Sequence, residues 1–322
     1  MAEISSTFKA TPRKARYIQS HRGYLRRKSV NGMMLTLTGL LTLLALVPLF
    51  WIIGYVVIKG GQYINLDFFT QLPRPAGIPG GGVLHAIEGT LLLTLVAAII
   101  AIPIGLLAAF YAAYHPNTLL GTFLRFSTDV LSGVPSIVVG IFVYALVVKP
   151  SGHYSLLAGG IAMALIMLPT TIRTTEEMIK LVPSNLREGA LALGAPEWKT
   201  ALQVTLPAAL SGILTGFLLS LARATGETAP LLFTALGNDR FDLVKMIKGG
   251  LGAGQSIFAV LGNILQQPVD SLPLTLYKYS QDPNIDRINQ SWAVAFVLMM
   301  LVLTINVIAR VWVESRAAKL RR

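Results

Sequence analysis

The chain has 322 residues, of which 53% are hydrophobic and only 13% are charged. Soluble domains usually carry about 25% charged residues, so this composition excludes an ordinary water-soluble enzyme. The formal net charge of +12 would suggest nucleic-acid binding in a soluble protein. Here the basic residues cluster at the ends of apolar stretches and instead indicate membrane topology. The sequence contains no cysteine, which excludes disulfides and thiolate metal sites.

Six stretches are apolar and long enough to cross a hydrocarbon core of about 30 Å, which takes roughly 20 helical residues. In chain order they are 33–58, 89–113, 130–148, 156–178, 208–236 and 292–313. We therefore predict an all-α fold, a polytopic membrane bundle of six transmembrane helices. Another apolar stretch, 251–265, is short and rich in glycine, so we expect it to form a buried, re-entrant or interfacial helix.

Lys and Arg residues concentrate in the two tails of the chain. Because such residues stay in the cytoplasm, we predict that both termini are cytoplasmic in a multi-pass protein of the plasma (inner) membrane. The predicted order is a basic tail (1–32), a first transmembrane helix (33–58), an extracytoplasmic loop (59–88), a helical domain (89–313) and a basic tail (314–322). Within the helical domain, a cytoplasmic loop covers 184–207 and a long extracytoplasmic loop covers 237–291.

The cytoplasmic loop 184–207 has the pattern of two short helices joined by a sharp turn. Pro183-Ser184 ends the fourth stretch and supplies a cap, an amphipathic helix covers 185–193, and Gly194 permits the turn. A second helix begins near Pro196, a residue that is tolerated at a helix start. The elbow has more apolar residues than a solvated loop needs, so either lipid headgroups or a partner protein should cover it.

This elbow resembles the EAA loop of ABC importer permeases, in which Glu-Ala-Ala and then Gly are followed after nine residues by Ile-x-Leu-Pro. The chain matches at Glu188, Ala190, Gly194, Leu206 and Pro207, and has Gly189 where Ala is usual and Val204 where Ile is usual. The resemblance implies that these residues couple the chain to an ATPase. In that family the elbow inserts into a groove of the ATPase subunit and transmits its closure, with 188–202 as the coupling helix.

Charged side chains inside a predicted span cost at least about 2.5–3.5 kcal/mol at the bilayer centre and therefore indicate function. Arg223 and Glu227 are four residues apart in the fifth stretch and share a helix face. Gly226 and Pro230 interrupt the helix there, where a water-filled cavity could be lined. The pair either neutralises itself as a packing device or lines a substrate pathway.

Arg173 lies near the inner end of the fourth stretch, next to Glu176 and Glu177, among the threonines Thr170, Thr171, Thr174 and Thr175. An arginine with hydroxyl donors is suited to an oxyanion, and the two glutamates could occupy Arg173 when no anion is bound. The alternative is that Arg173 snorkels to the interface and only sets topology. Asp129, at the start of the third stretch, is interpreted as a helix N-terminal charge.

The segment 222–235 reads ARATGETAPLLFTA. It resembles the penultimate span of the PstA-type permeases of phosphate ABC importers, in which Arg and then Gly-Glu-Thr-Ala-Pro-Leu recur. The resemblance covers about 85–310 and implies the type I ABC importer permease (MetI-like) fold. We predict that Arg223, Glu227, Arg173, Thr225 and Thr228 line the substrate pathway.

The same resemblance implies that the chain works with several partners. They are a second permease of the PstC type, two ATPase subunits of the PstB type and an extracytoplasmic phosphate-binding protein of the PstS type. The chain has no Gly-x-x-x-x-Gly-Lys-[Ser/Thr] loop, so we expect ATP and Mg on the ATPase subunits and neither a cofactor nor a catalytic residue here.

The four histidines, His21, His85, His115 and His153, show no metal-ligand spacing, so no metal site is predicted. Two other functions remain open. One is an importer permease for another oxyanion or a small organic solute. The other is a stand-alone secondary transporter, which the spacing of the coupling loop disfavours.

Overall fold

A computed structural model describes residues 21–75, 77–78 and 80–320. In this part of the chain every regular element is a helix, as predicted. The α-helices in chain order are α1 His21–Gly61, α2 Leu66–Thr70, α3 Leu84–Tyr114, α4 Leu119–Gly133, α5 Ser136–Val143, α6 Lys149–Ser151, α7 Leu156–Lys180, α8 Ser184–Ala192, α9 Glu197–Thr200, α10 Leu206–Thr225, α11 Ala229–Thr234, α12 Leu243–Gly252, α13 Ile257–Gln266, α14 Leu272–Ser280 and α15 Ile285–Leu320. Two π-helical turns, Tyr144–Val148 and Ala201–Thr205, join neighbouring helices. Most of the predicted N-terminal tail, 1–20, lies outside the described residues.

Within the described residues, five helices are long and apolar enough to cross a membrane. They are Gly23–Gly61, Leu84–Tyr114, Leu156–Lys180, Glu197–Thr225 and Ile285–Ile308. The helix pair Leu119–Gly133 and Ser136–Ser151 makes a sixth span if the bent pair counts as one. The chain is therefore a multi-pass membrane protein, and this number agrees with the six predicted spans.

The third predicted span is not a continuous helix over 130–148. The chain there forms two helices, Leu119–Gly133 and Ser136–Ser151, whose axes are bent by 107° relative to each other. Pro135 causes the break, because the residue before a proline avoids the helical region, and Val134 is extended at φ −74° and ψ 128°. Asp129 consequently lies near the C-terminal end of α4, and its interpretation as an N-terminal charge is wrong.

The fifth predicted span, 208–236, is also displaced. The helix runs from Glu197 to Thr225 and ends at Gly226, after which α11 begins at Ala229. The predicted interruption at Gly226 and Pro230 is therefore confirmed. Glu227 lies in the gap between the two helices, so the prediction that it shares a helix face with Arg223 is wrong.

The centre of the bundle is the contact between α3 and α7, where small residues bring the two backbones close together. Ala97 and Ala101 are fully buried. A Cβ atom added at Gly105 would come within 2.6 Å of Thr171 Cγ2, and one at Gly159 within 2.6 Å of Leu93 Cδ2. Close packing through glycine and alanine is typical of membrane helices, since lipid provides no hydrophobic drive for their association.

The predicted single helix over 251–265 is instead a pair of helices, α12 and α13. They are separated by a turn in which Gly254 has φ +77°. Helix α13 buries Val260 and Ile264 and leaves Phe258 82% exposed. The pair is therefore amphipathic and packs on the bundle without spanning it. The N-terminus of α12 is held to α3, because the Leu243 N–H donates to Glu88 Oε2 at 2.8 Å.

Residues up to Gly54 form a unit separate from 55–322. In the described part of this unit, α1 exposes a nearly continuous apolar surface, with Trp51 74% and Leu35 73% exposed. Such a surface indicates a helix that is surrounded by lipid or by another protein.

Candidate functional site

The predicted elbow is present and turns at Gly194, which has φ +84°. The Gly194 N–H donates to Leu191 O at 2.9 Å, and the Ala195 N–H donates to Ala190 O at 3.1 Å. These two bonds form a Schellman motif, which needs a left-handed residue just after the helix. The N-cap of α8 is Pro183, within the predicted cap Pro183-Ser184, but no side chain caps this end.

The second arm of the elbow continues into the membrane as one helix. It begins after Pro196, as predicted, and runs through α9, the π turn Ala201–Thr205 and α10. The π turn ends two residues before Pro207, which lacks an N–H and whose ring would clash with the carbonyl four residues earlier. A continuous helix of 29 residues, Glu197–Thr225, thus joins the elbow to the position of Arg223.

The elbow exposes large apolar side chains at its tip. Leu193 is 91% exposed and Trp198 is 66% exposed, and no residue of α8 is buried. Glu188 and Gly189 are exposed, and Ala190 is half-buried. An exposed acidic residue surrounded by exposed apolar side chains is typical of a surface that binds another protein.

The elbow is held against α3 by contacts that the sequence analysis missed. Tyr114, the last residue of α3, places its hydroxyl 2.7 Å from Thr205 Oγ1. The Arg187 guanidinium lies 4.0 Å from the centre of the Tyr114 ring, and Arg187 Nη2 lies 3.7 Å from Glu197 Oε1. One arginine therefore connects both arms of the elbow and the end of α3.

A cavity of about 150 Å³ lies at the bend between α4 and α5. It is closed by α7 and by the end of α10, and its lining residues are Leu131, Ser132, Val134, Pro135, Ser136, Val139, Leu165, Ile166, Pro169, Thr170, Arg223 and Glu227. We call it the bend cavity. The structure thus brings Arg223 and Glu227 to the one place in the third span where the helix is broken.

Arg223 and Glu227 form a loose pair in the bend cavity. Arg223 Nε lies 4.0 Å from Glu227 Oε1, and the two side chains are 59% and 20% exposed. At this distance the guanidinium keeps donors free for another acceptor. Because Glu227 follows the end of α10, its carboxylate is not fixed by the helix that carries Arg223.

Further donors surround Arg223. Ser136 and Thr170 contribute hydroxyl groups to the cavity wall, and the first turn of α5 borders it. The first N–H groups of a helix have no intrahelical acceptor, and the helix dipole is positive at that end. One guanidinium, hydroxyls and a helix N-terminus together favour a small anion.

The two predicted threonines are placed differently from Arg223. Thr225 is 2% exposed, donates to Leu221 O at 2.8 Å and lies 3.4 Å from the Thr94 hydroxyl. Thr228 precedes α11 as its N-cap residue. The structure places neither of them in the lining of the bend cavity.

Arg173 lies in a second cavity of about 230 Å³, between α4 and α7. Its Nη1 is 2.5 Å from Asp129 Oδ1 and its Nε is 3.4 Å from Glu177 Oε1. Glu176 does not pair with Arg173 as expected. It accepts from Arg125 Nε at 2.7 Å and lies 2.6 Å from Lys180 Nζ.

The charges around Arg173 therefore balance each other, since three cations face three carboxylates. The neighbouring threonines also diverge from Arg173. Thr171 donates to Ser220 at 3.1 Å, Thr174 donates to Thr170 O at 2.7 Å, and Thr175 is fully buried. Two carboxylates therefore compete with an anion for Arg173 at 2.5 and 3.4 Å, whereas the single carboxylate beside Arg223 lies 4.0 Å away.

Residues 101–322 match the family described as "Binding-protein-dependent transport system inner membrane component". The chain belongs to this family. Its members span the membrane, in agreement with the bundle, and the match includes the elbow, the bend cavity and the Arg173 cavity.

Curated relatives in this family confirm the resemblance that 222–235 indicates. The chain is 41% identical over 286 residues to the phosphate transport system permease protein PstA of Yersinia pestis, covering 88% of this chain and 90% of the relative. It is 38% identical over 291 residues to PstA of Haemophilus influenzae, covering 90% and 96%. With PstA 1 of Mycobacterium tuberculosis it shares 35% identity over 289 residues, covering 88% and 89%.

Solved structures confirm the predicted fold of a MetI-like ABC importer permease. A chain of the MetNI methionine ABC transporter matches with a TM-score of 0.54 and 18% identity, covering 72% of this chain and 95% of that one. A chain of a bacterial alginate ABC transporter matches with a TM-score of 0.58 and 14% identity, covering 90% and 97%. At these identities the similarity establishes the fold alone.

Proposed function

We propose that the chain is a transmembrane permease subunit of an ATP-driven importer of inorganic phosphate. The observation that carries this proposal is that one helix, Glu197–Thr225, connects an elbow with exposed apolar side chains to a cavity that contains Arg223. The names of the relatives, phosphate transport system permease proteins, support phosphate as the cargo.

The partners follow from the same proposal. A PstC-type permease would complete the pathway, two PstB-type ATPases would bind the elbows with ATP and Mg, and a PstS-type binding protein would deliver phosphate from outside. Both termini and the elbow would then be cytoplasmic, and 237–291 would face the binding protein. Glu188, Gly189, Ala190 and Gly194 would contact the ATPase, while Leu206 and Pro207 would begin the helix that enters the membrane.

The geometry suggests how movement of the elbow reaches the anion. From Glu197 to Arg223 the helix is about 40 Å long at roughly 1.5 Å per residue. Displacement of the elbow end of this helix therefore moves Arg223 relative to α5 and α7. Phosphate would replace Glu227 as the partner of Arg223 in one conformation, and Glu227 would regain it in the other. ATP can drive transport this way only because the two conformations bind phosphate with different free energies.

Arg173 retains a proposed role as a second pathway residue. Together with Arg125 and Lys180 it would form a charge-balanced vestibule between the bend cavity and the elbow end of α7. A released phosphate would pass these cations without being held, because Asp129, Glu176 and Glu177 compete for them.

The experiment that tests the function is reconstitution of the chain with the three proposed partner types in proteoliposomes. We expect the subunits to copurify and phosphate uptake to require ATP and the binding protein, with sulfate failing to compete. ATP-independent uptake would indicate a secondary transporter. Uptake of sulfate that phosphate does not inhibit would indicate an importer with a different cargo.

A further inference from the structure

At the other end of the bundle from the elbow, the first turn of α3 buries a histidine to which the described part of the chain offers no hydrogen-bond partner. His85 is fully buried, and neither Nδ1 nor Nε2 makes a hydrogen bond to any residue that the structure describes. Buried polar groups are nearly always paired, so an unpaired one calls for an explanation such as an absent ion or water.

Two carboxylates approach this imidazole from the segment between α11 and α14. His85 Nε2 lies 3.7 Å from Asp270 Oδ2 and 3.9 Å from Asp239 Oδ1. All three potential ligand atoms lie within 4.8 Å of one another. Ligands bound to zinc at about 2.0–2.2 Å in a tetrahedron are roughly 3.3–3.6 Å apart. The two distances from the imidazole therefore need only a slight contraction, while the two carboxylate oxygens, which lie within 4.8 Å of each other, must move closer together to hold an ion.

The chain already places a cation among these carboxylates. Lys278 Nζ is 2.8 Å from Asp270 Oδ2 and 3.9 Å from Asp239 Oδ1. The side chain of Lys278 is 36% exposed, so its ammonium group can move into solvent. Asp270 is fully buried and cannot leave, whereas Asp239 is 59% exposed and is free to adjust.

A glycine keeps the space beside these groups open. Gly237 has φ +97°, and a Cβ atom added to it would contact Lys278 Nζ and come within 3.0 Å of Asp270 Oδ2. Any other residue at this position would therefore crowd the carboxylate and the lysine.

We propose that His85, Asp239 and Asp270 bind a divalent transition metal ion of the zinc class, with water completing its coordination. The Lys278 ammonium group pairs with the two carboxylates when the metal is absent, and the metal ion displaces this group when it binds. An imidazole ligand favours zinc and its neighbours over calcium and magnesium, which prefer oxygen ligands. The bound ion would tie the start of 237–284 and the N-terminus of α14 to α3. This inference is independent of the cargo and of the coupling elbow.

The site can be tested by titrating the full-length chain, in lipid nanodiscs and with a purification tag that lacks histidine, with Co²⁺. We expect one Co²⁺ per chain to produce visible d–d absorption, which one equivalent of Zn²⁺ removes. Since even outer-shell partners change metal affinity by about 10–100-fold, Asp239→Asn should weaken binding at least about tenfold. Asp239 is exposed, so its replacement leaves the fold intact. Lys278→Met should tighten binding, by about tenfold, because it removes the competing cation.

The matched control is Asp286→Asn, which removes another exposed aspartate near this end of the bundle and should bind Co²⁺ like the unchanged chain. If Asp239→Asn and Asp286→Asn bind equally well, the ion is adventitious and the proposal is overturned. If Lys278→Met weakens Co²⁺ binding, the proposal that the metal ion displaces Lys278 is wrong. Failure of the unchanged chain to bind Co²⁺ or Zn²⁺ also overturns the site, whether or not the chain transports phosphate.

Discussion

The turn of the elbow depends on one residue, and two glycines in the same segment allow a sharp test. Gly194 has φ +84°, where an L-residue is less stable by about 1–2 kcal/mol. A Cβ atom added there would meet nothing within 4 Å, so this cost is purely conformational. Gly189 lies inside α8, also with nothing within 4 Å, and there alanine is favoured by about 0.5–1 kcal/mol.

The variants Gly194→Ala and Gly189→Ala should therefore act in opposite directions. A cost of 1–2 kcal/mol reduces the population of the native turn by about 5–30-fold relative to its competitors. If the ATPase recognises only this turn, ATP-driven uptake by Gly194→Ala should fall by up to that factor. Gly189→Ala stabilises α8 and should leave uptake unchanged or raise it.

The assay is phosphate uptake by the reconstituted importer, together with hydrogen exchange of the elbow amides in 184–205. We expect faster exchange and lower uptake in Gly194→Ala. In Gly189→Ala we expect slower exchange, with uptake unchanged or higher. Equal uptake by both variants, with exchange altered as expected, would refute the idea that the turn transmits ATPase closure.

Three further predictions concern other contacts within the described residues. Tyr114→Phe removes the hydrogen bond to Thr205, at 2.7 Å, and should destabilise the elbow by about 1 kcal/mol, measured as faster hydrogen exchange. Gly140→Ala places a Cβ atom 2.6 Å from Pro230 Cα, so it should separate α5 from α11 and lower phosphate uptake. The Lys245 N–H, which donates to the Asp242 side chain, lowers the pKa of Asp242. The ionised Asp242 side chain thereby stabilises the N-terminus of α12. This stabilisation is complete above the unfolded pKa of about 3.9 and is lost as the pH falls through the native pKa. Hydrogen exchange of the α12 amides, corrected for the intrinsic rate, should therefore accelerate in acid.

Each of these predictions has a control within the chain. Tyr114→Ala should speed exchange more than Tyr114→Phe, because it also removes the ring under Arg187; equal effects would assign the whole contact to the hydroxyl. Gly133→Ala, where an added Cβ atom meets nothing within 4 Å, should leave uptake unchanged. In Asp242→Asn the acid dependence of α12 should decrease to the part that Glu88 contributes through its bond to the Leu243 N–H, and an unchanged acid dependence would contradict the role of Asp242.

Local chemistry explains what the sequence could predict. Long apolar stretches indicated the spans because each carries its own hydrophobic length, and Gly194 indicated a turn because a left-handed residue after a helix is a local requirement. The four-residue spacing of Arg223 and Glu227 likewise identified a pair that the structure brings to one cavity. These features depend on residues that are close in sequence.

The breaks in the helices were harder to predict. The average hydropathy of 130–148 indicated a single span and concealed the proline at position 135, whose effect on Val134 bends the pair by 107°. That signal was present in the sequence, since a proline disfavours a helical conformation in the residue before it. Attention to Gly133 and Pro135 would have located the bend itself.

Contacts between distant residues could not be predicted from spacing at all. Tyr114 and Thr205 are 91 residues apart, and His85 meets Asp239 and Asp270 only because α3 packs beside the segment that follows α11. The histidines appeared scattered because a single sequence does not show which carboxylates the fold places beside them. Pairing of this kind is determined by tertiary packing.

The most direct test of the central claim is phosphate uptake by Arg223→Gln and Arg223→Lys in the assembled importer. Glutamine removes the charge in the bend cavity, and lysine keeps the charge but loses the planar fork of donors. We predict that Arg223→Gln assembles with its partners yet transports no phosphate, and that Arg223→Lys retains part of the activity. Normal phosphate uptake by an assembled Arg223→Gln importer would contradict the assignment of the bend cavity as the phosphate pathway.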